Sequence, residues 1–300
     1  MKGLLKGESI VVEKAQKLIS RNFGTAKGNS AILTPEEAAY LVYKGTLEVF
    51  SDDEHIVDFD RLFKMCDPVK YFVFQDLRDR GVRARFLDFG DYIPVSEKDC
   101  FPVEDLKEMS GKKLAVVDEE ADVTYFKVEA FDEHGNHREE LKKFSSRFSG
   151  SYFVTENTEL YRKYFYGVLK GNRVIMSIYE GLYLMDEGIM EADVEREEVL
   201  EFARKTIPDF EKIFTVYRDL RERRFMVKTG FKFGSEFRVY EQVKNISELK
   251  HSKYLVKLRS NLNLRELAGD VRLSGAVNKT LIYPILCRNP EYIAVRRVRI

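Results

Sequence analysis

Two stretches of the chain carry apolar residues at helical spacing behind the same opening signal. Ala38, Leu41 and Val42 follow Thr34-Pro35-Glu36-Glu37, and Leu182 and Met185 follow Ser177-Ile178-Tyr179-Glu180. Each opening reads as a capping box: a hydroxyl residue at the N-cap, then Glu three positions on. The first adds Pro at the first helical position. Gly45 and Gly188 are placed to stop the two helices. A second helix is predicted in each half, ending at Arg80 and Arg223. Beyond Arg223 the pattern becomes short apolar or alternating runs broken by turn signals. It predicts strands over 225–228, 231–233, 237–241 and 254–258, a helix over 264–277, and strands over 280–286 and 292–300.

The shared signal belongs to a longer repeat. Lys27-Gly28-Asn29 recurs as Lys170-Gly171-Asn172, an offset of 143 residues, and at that offset Phe23-Gly24 meets Tyr166-Gly167. The same register pairs Tyr40-Leu41 with Tyr183-Leu184, Gly45 with Gly188 and Glu48 with Glu191. It also pairs Val73-Phe74-Gln75-Asp76-Leu77-Arg78-Asp79-Arg80 with Val216-Tyr217-Arg218-Asp219-Leu220-Arg221-Glu222-Arg223. Such self-similarity identifies an internal duplication. The register then slips: Phe89-Gly90 matches Phe233-Gly234 at an offset of 144, and Val123-Thr124-Tyr125-Phe126 resembles the strand around Tyr292 at 167. The expected architecture is a mixed α/β (α+β) tandem repeat. Each copy has a small helical or mixed N-terminal subdomain (1–68, 149–211) followed by a mixed sheet with one packed helix (69–148, 212–300).

Composition narrows the class. The 300 residues are 44% hydrophobic and 33% charged, which describes a globular interior under a charged surface. No apolar run approaches the ~18–20 residues that cross a bilayer. The opening Met1-Lys2-Gly3-Leu4-Leu5-Lys6 is charged too early for a secretory signal. The expectation is a cytoplasmic protein with no membrane partner. Cys66, Cys100 and Cys287 are an odd, scattered set, read as reduced buried thiols. His134 and His137 sit in a polar stretch read as a solvated loop in preference to a metal site. Net charge is zero, yet residues 225–300 hold 15 Lys/Arg against 6 Asp/Glu. That surplus is a candidate phosphate-facing surface, or else a solvated basic face.

Duplication supplies an internal control, because chemistry should sit where one copy has what the other lacks. Aligned on Phe-Gly, Phe237-Arg238-Val239-Tyr240 meets Ile93-Pro94-Val95-Ser96, so Tyr240 is replaced by Ser96. His251 lies in a segment that is shorter in the first copy, and Lys279 is matched to Lys113. Singly, a Tyr at a strand end, a surface His and a Lys before a strand are ordinary packing or solvated groups. Jointly they form a set that only the second copy holds.

The run Phe231-Lys232-Phe233-Gly234-Ser235-Glu236-Phe237-Arg238-Val239-Tyr240, then His251-Ser252 and Tyr254-Leu255-Val256, then Val271-Arg272-Leu273 and Lys279, resembles the archaeal tRNA-splicing endonuclease family. Arg162 and Tyr164-Phe165-Tyr166-Gly167 strengthen the resemblance. It is closest to the homodimeric form, whose subunits fuse two repeats and whose first repeat is inactive. The resemblance implies that residues 69–148 are an inactive catalytic-like subdomain and 212–300 the catalytic one. It further implies metal-free excision of introns from precursor tRNA at bulge-helix-bulge sites, with no cofactor. The products would be a 2′,3′-cyclic phosphate and a 5′-hydroxyl.

In such a reaction the RNA's own 2′-hydroxyl attacks the neighbouring phosphorus. One group must take its proton, another must protonate the leaving oxygen, and a cation must meet the phosphorane charge. The family roles fall on Tyr240, His251 and Lys279. A free phenol is scarcely ionised at pH 7, so either Lys279 lowers the Tyr240 pKa or Tyr240 orients the 2′-hydroxyl. The resemblance also assigns Arg272 and Arg297 to gripping a bulged nucleotide. It assigns Asp132, Glu133, Glu139 and Glu140 to a loop that docks on the partner subunit of a homodimer. Two alternatives stand beside it: a non-catalytic RNA-binding subunit, and a metal-dependent nuclease. The second would want a carboxylate cluster, but Asp219 and Glu222 recur as Asp76 and Asp79, which makes them structural residues.

Overall fold

The protein is described by a computed structural model covering residues 1–300, the side chain of Lys250 excepted. Both capping boxes form. Thr34 Oγ1 accepts from the Glu37 N–H at the start of Pro35–Tyr43, and Ser177 Oγ accepts from the Glu180 N–H at the start of Ile178–Asp186. In each case the Glu side chain also accepts from a glycine N–H thirteen residues back, Gly24 or Gly167. These glycines have φ of +67° and +57°, and an added Cβ would lie 2.7 and 2.4 Å from the carbonyl oxygens of Ile32 and Ile175. Only glycine fits that approach.

Of the helical or mixed N-terminal subdomains expected, both are mixed. The first is built on a six-stranded sheet running from Lys2–Lys6 to Ile56–Val57, the second on a five-stranded sheet from Phe144–Ser149 to Met190–Ala192. Their strands are three to six residues long, apart from the two-residue Ile56–Val57. The longer helices Pro68–Asp79 and Phe210–Glu222 end as predicted, one residue before Arg80 and Arg223.

The two larger subdomains share one eight-stranded sheet. From one edge to the other it runs Met226–Thr229, Phe237–Tyr240, Tyr254–Val256, Thr280–Ile285, Glu291–Val298, Val123–Ala130, Lys113–Val117 and Tyr92–Ser96. The copies meet where Glu291–Val298 pairs antiparallel with Val123–Ala130, Tyr125 opposite Val298 and Ala130 opposite Ile293. Closing the sheet this way covers a strand edge of each copy. A two-stranded ladder, Cys100–Pro102 with Asn261–Asn263, joins them a second time.

The duplication is visible in side-chain networks. In the first copy Arg80 Nε and Tyr125 Oη both donate to Asp76, at 2.6 Å each. In the second, Arg223 Nε and Tyr292 Oη donate to Asp219 at 2.8 and 2.7 Å. Each network ties a long helix to the strand at the junction between copies. Asp219 is therefore fully engaged, as its recurrence in the first copy led us to expect.

Four expectations are corrected. Residues 231–233 form a 3₁₀ turn, not a strand, because Gly234 at φ +61° turns the chain before pairing can begin. Tyr92–Ser96 pairs parallel with Lys113–Val117 just as Tyr254–Val256 pairs parallel with Thr280–Ile285. Residues 93–96 thus take the place of 254–256, and among the described residues the first copy has no equivalent of the Met226–Tyr240 hairpin. Lys113 stands opposite Tyr92 inside its strand, the place Thr280 holds opposite Tyr254, so it is not the counterpart of Lys279. Of the thiols, Cys66 is half-buried and Cys100 and Cys287 are exposed.

Candidate active site

Tyr240 ends the Phe237–Tyr240 strand opposite Met226. Its ring is buried with Phe165, Met226 and Val243, and its hydroxyl donates to the Leu249 carbonyl at 2.5 Å. Burial pushes the phenol above its ordinary value, and the Arg238 guanidinium opposes this only in part. The direction is opposite to the lowering by Lys279 that was one of the two alternatives for Tyr240.

Residues 249–253 run between two strands and are bonded to both. On one side lie the Tyr240 bond and a backbone bond from Lys253 N–H to the Val239 carbonyl, 3.1 Å. On the other, Lys279 Nζ donates to the Ser252 carbonyl at 2.8 Å, and Thr280 N–H to the Lys253 carbonyl at 3.1 Å. His251 sits in the middle. Its imidazole is exposed and has no hydrogen-bond partner among the described residues. Tyr240 therefore touches the chain two residues before His251, and Lys279 touches it one residue after. Two side chains 39 positions apart in sequence thus bond to the backbone of the short segment that contains His251.

Lys279 follows the helix Leu264–Ala276 and is half-buried. Burial lowers its ammonium below the ordinary lysine value, and the Arg238 charge adds to this. Arg238 is a site residue that the pairing of the two copies did not single out. Its Nε donates to the Thr229 carbonyl at 2.9 Å and its Nη1 to the Leu249 carbonyl at 3.4 Å. Arg238 and Lys279 both lie within 6 Å of the Phe233 ring centroid, at 5.7 and 5.6 Å. The signal was available: Arg238 is two residues from Tyr240 on one strand, hence on the same face. Ser252 adds a buried hydroxyl with no partner among the described residues.

Arg272 is exposed on Leu264–Ala276, and Arg297 is exposed on Glu291–Val298. Arg297 alternates with Ile293 and Val295, which pack with Leu264, Leu267 and Val271 of that helix. Both arginines thus occupy the helix-covered side of the sheet, whereas Arg296 faces the other way and pairs with Glu129 at 3.1 Å.

The acidic segment makes several contacts within its own chain. Glu139 is bonded to Arg221 and accepts from Tyr166 Oη at 2.8 Å. Glu133 accepts from Tyr254 Oη, and Asp132 pairs with Arg223 at 3.0 Å. The Glu140 carbonyl accepts from Tyr164 Oη at 2.7 Å. The segment joining the copies is docked on its own chain, which satisfies the buried Arg221. These contacts all lie within one chain, and they leave the Asp132 side chain 88% exposed and Glu140 exposed as well. His137, read as part of a solvated loop, is not solvated: its side chain is buried, with Nε2 3.0 Å from Glu139. Among the described residues no three His, Cys, Asp or Glu side chains are grouped to hold a metal. No helix there is long and apolar enough to cross a membrane.

Comparison with known proteins matches both kinds of subdomain. The model for the tRNA intron endonuclease N-terminal domain matches twice, at residues 1–63 and 149–204. The model for the catalytic C-terminal domain matches residues 210–292, in the copy that holds the Tyr–His–Lys cluster. Fold and site together define an endonuclease made by tandem duplication. A tRNA-splicing endonuclease of Methanosarcina barkeri is 30% identical over 350 aligned positions, covering 100% of both chains. One of Methanococcoides burtonii is 30% identical with 99% of each covered. One of Methanopyrus kandleri is 31% identical over 161 aligned positions, covering 51% of this chain and 88% of its own. The chain belongs to the tRNA intron endonuclease family.

Proposed function

We propose that this endonuclease cuts precursor tRNA at bulge-helix-bulge junctions without a metal ion, leaving a 2′,3′-cyclic phosphate and a 5′-hydroxyl. The observation that carries the proposal is the 249–253 segment, bonded to Tyr240 on one side and Lys279 on the other with His251 exposed between them. His251 is the general acid for the leaving 5′-oxygen, and its exposure leaves it open to a phosphodiester. Lys279, with Arg238 behind it, meets the charge of the phosphorane. Tyr240 is protonated where it lies, so it orients the 2′-hydroxyl, whose proton passes to solvent water as the 2′-oxygen bonds to phosphorus. Substrate reaches it once Leu249 releases the phenol.

The subdomain limits that go with this function are 1–68, 69–148, 149–211 and 212–300, with 69–148 inactive and 212–300 catalytic. A substrate with two scissile bonds suits a two-fold dimer with one working site per subunit. The inactive copy, fused through the shared sheet, fixes the position of the active one.

Cleavage of a bulged RNA in excess chelator, with the ends identified, tests the chemistry. Cyclic phosphate and 5′-hydroxyl ends at undiminished rate are expected, and dependence on added Mg²⁺ would overturn it. Arg272 and Arg297 are the proposed grip on the bulged base, by stacking and by phosphate pairing. Arg272→Ala should weaken binding of a bulged RNA by roughly 5- to 30-fold while leaving a fully paired duplex unaffected, as a stacking interaction of about 1–2 kcal/mol requires. Equal affinity for both RNAs in parent and variant would remove Arg272 from this role.

A further inference from the structure

A cavity of about 520 Å³ opens between the segment joining the copies and the catalytic module. Asn136, His137, Arg138, Lys163, Arg224 and Gln242 line it. Arg138, Lys163 and Arg224 are exposed. The neighbouring carboxylates are already occupied, Glu139 by Arg221 and Glu241 by Lys253, and no Asp or Glu lines the cavity. Three cations are thus left without an acidic partner among the described residues.

The cavity adjoins the Tyr240 cluster. Val243, also in its lining, packs with Tyr240 and Phe165. Asn136 N–H donates to the Glu241 carbonyl at 2.7 Å, and His137 N–H to the Arg224 carbonyl at 3.0 Å. The internal control singles out Arg224. It follows the Phe210–Glu222 helix at φ +64°, the left-handed conformation that usually falls to glycine there. At the corresponding place the first copy has Gly81, at φ +85°. Lys163 corresponds to Ser20 by the same offset. The second copy therefore carries two cations where the first has Gly and Ser, one of them in a conformation that disfavours any side chain.

We infer that this cavity is a phosphate-binding subsite, which holds an RNA phosphodiester outside the scissile bond and so fixes the strand across Tyr240. The inference rests on the proposed RNA-cleaving function. Arg138 and Arg224 supply charge, and the Asn136 and Gln242 amides supply neutral donors. Such groups position a strand without reading its sequence.

The test is equilibrium binding of a bulged precursor made uncleavable by a 2′-deoxy residue at the cut, measured across a salt series. Arg224→Gly relieves the backbone conformation, so its melting temperature should equal or exceed that of the parent. Its affinity should fall at least about fivefold, and the slope of log K against log salt should flatten by about 0.7 for each phosphate no longer held. Arg138→Ala, in a different segment, should do the same. Parent-like affinity and slope in the Arg138→Ala/Arg224→Gly double variant would overturn the subsite while leaving cleavage by the parent intact. So would inorganic phosphate raising the parent's melting temperature but not the variant's while RNA affinity stays equal, since the site would then serve a free anion. A parent that neither binds nor cuts the bulged RNA would overturn the function and the subsite together.

Discussion

Lys228→Met is expected to destabilise the protein by about 3–5 kcal/mol at neutral pH, the cost of leaving a buried charge without its partner. Lys228 Nζ donates three bonds: to Glu180 Oε1 at 3.1 Å, the Gly167 carbonyl at 2.7 Å and the Phe165 carbonyl at 3.0 Å. Both side chains of the ion pair are nearly enclosed, at 12% and 8% exposure. Burial alone would push the Glu180 carboxyl up. The Lys228 charge and the N–H groups of Ser177 and Gly167 reverse this and hold it below the usual carboxylate range.

The pH dependence follows from that direction. A carboxyl lowered in the folded state contributes stability that is complete above the usual carboxylate value and is lost as pH falls through the folded one. Without Lys228 the carboxyl takes up a proton readily, so the penalty of Lys228→Met should shrink on acidification. Urea unfolding of parent and variant at neutral and acid pH measures it, and a penalty independent of pH would show that the Glu180 charge is not what Lys228 serves. The first copy illustrates the unpaired case. Arg85 stands at the position of Lys228, exposed and unbonded to Glu37, and burial there raises the Glu37 carboxyl despite its bonds to Gly24 and Thr34 N–H. Its contribution has the opposite sign: largest below the usual carboxylate value, and lost as pH rises through the raised one.

Lys228 also explains how the two subdomains of the second copy stay in register. It lies on Met226–Thr229 opposite Arg238, and Met226 lies opposite Tyr240. The buried ion pair thus pins the hairpin that carries Tyr240 and Arg238 to the helix cap at Ser177. The first copy lacks this hairpin among the described residues, and it lacks the pair.

What the sequence made legible was local. Capping boxes, glycine stops and the helix ends at Arg80 and Arg223 are decided by neighbours within a turn, and all appear as expected. The six-stranded sheet was hidden because its strands are short and their pairing is distant. Lys2–Lys6 pairs with Glu48–Phe50, and Thr25–Lys27 is wholly exposed and carries no alternation to read. Matching Ile93-Pro94-Val95-Ser96 to the Tyr240 strand failed for a related reason. A Phe-Gly landmark fixes sequence register, but which strand lies beside which is set by parallel pairing with Lys113–Val117. The polar composition of 132–140 suggested solvation. Its partners Arg221, Arg223 and Tyr254 lie some eighty to 120 positions away, beyond what local pattern can show. The Tyr–His–Lys set was legible as a group that only the second copy holds, but the bonds that tie Tyr240 and Lys279 to the 249–253 segment are purely tertiary.

The most telling result for the proposed chemistry would come from His251. His251→Ala should slow single-turnover cleavage of the bulged precursor by about 10²- to 10⁴-fold, the usual contribution of a positioned general acid. Folding should be little changed, because the imidazole is exposed and no described residue bonds to it. A precursor with sulfur in place of the leaving 5′-oxygen separates this role from mere positioning. A thiolate leaves without being protonated, so His251→Ala should cut that substrate at close to the parent rate. Tyr240→Phe acts on the other side of the reaction. It removes both the group proposed to orient the 2′-hydroxyl and the bond that draws Leu249, and with it His251, toward the strand. That variant should stay slow on both substrates while still binding RNA. If sulfur fails to rescue His251→Ala, the histidine is not the acid, and the exposed imidazole must be assigned to holding the phosphate instead.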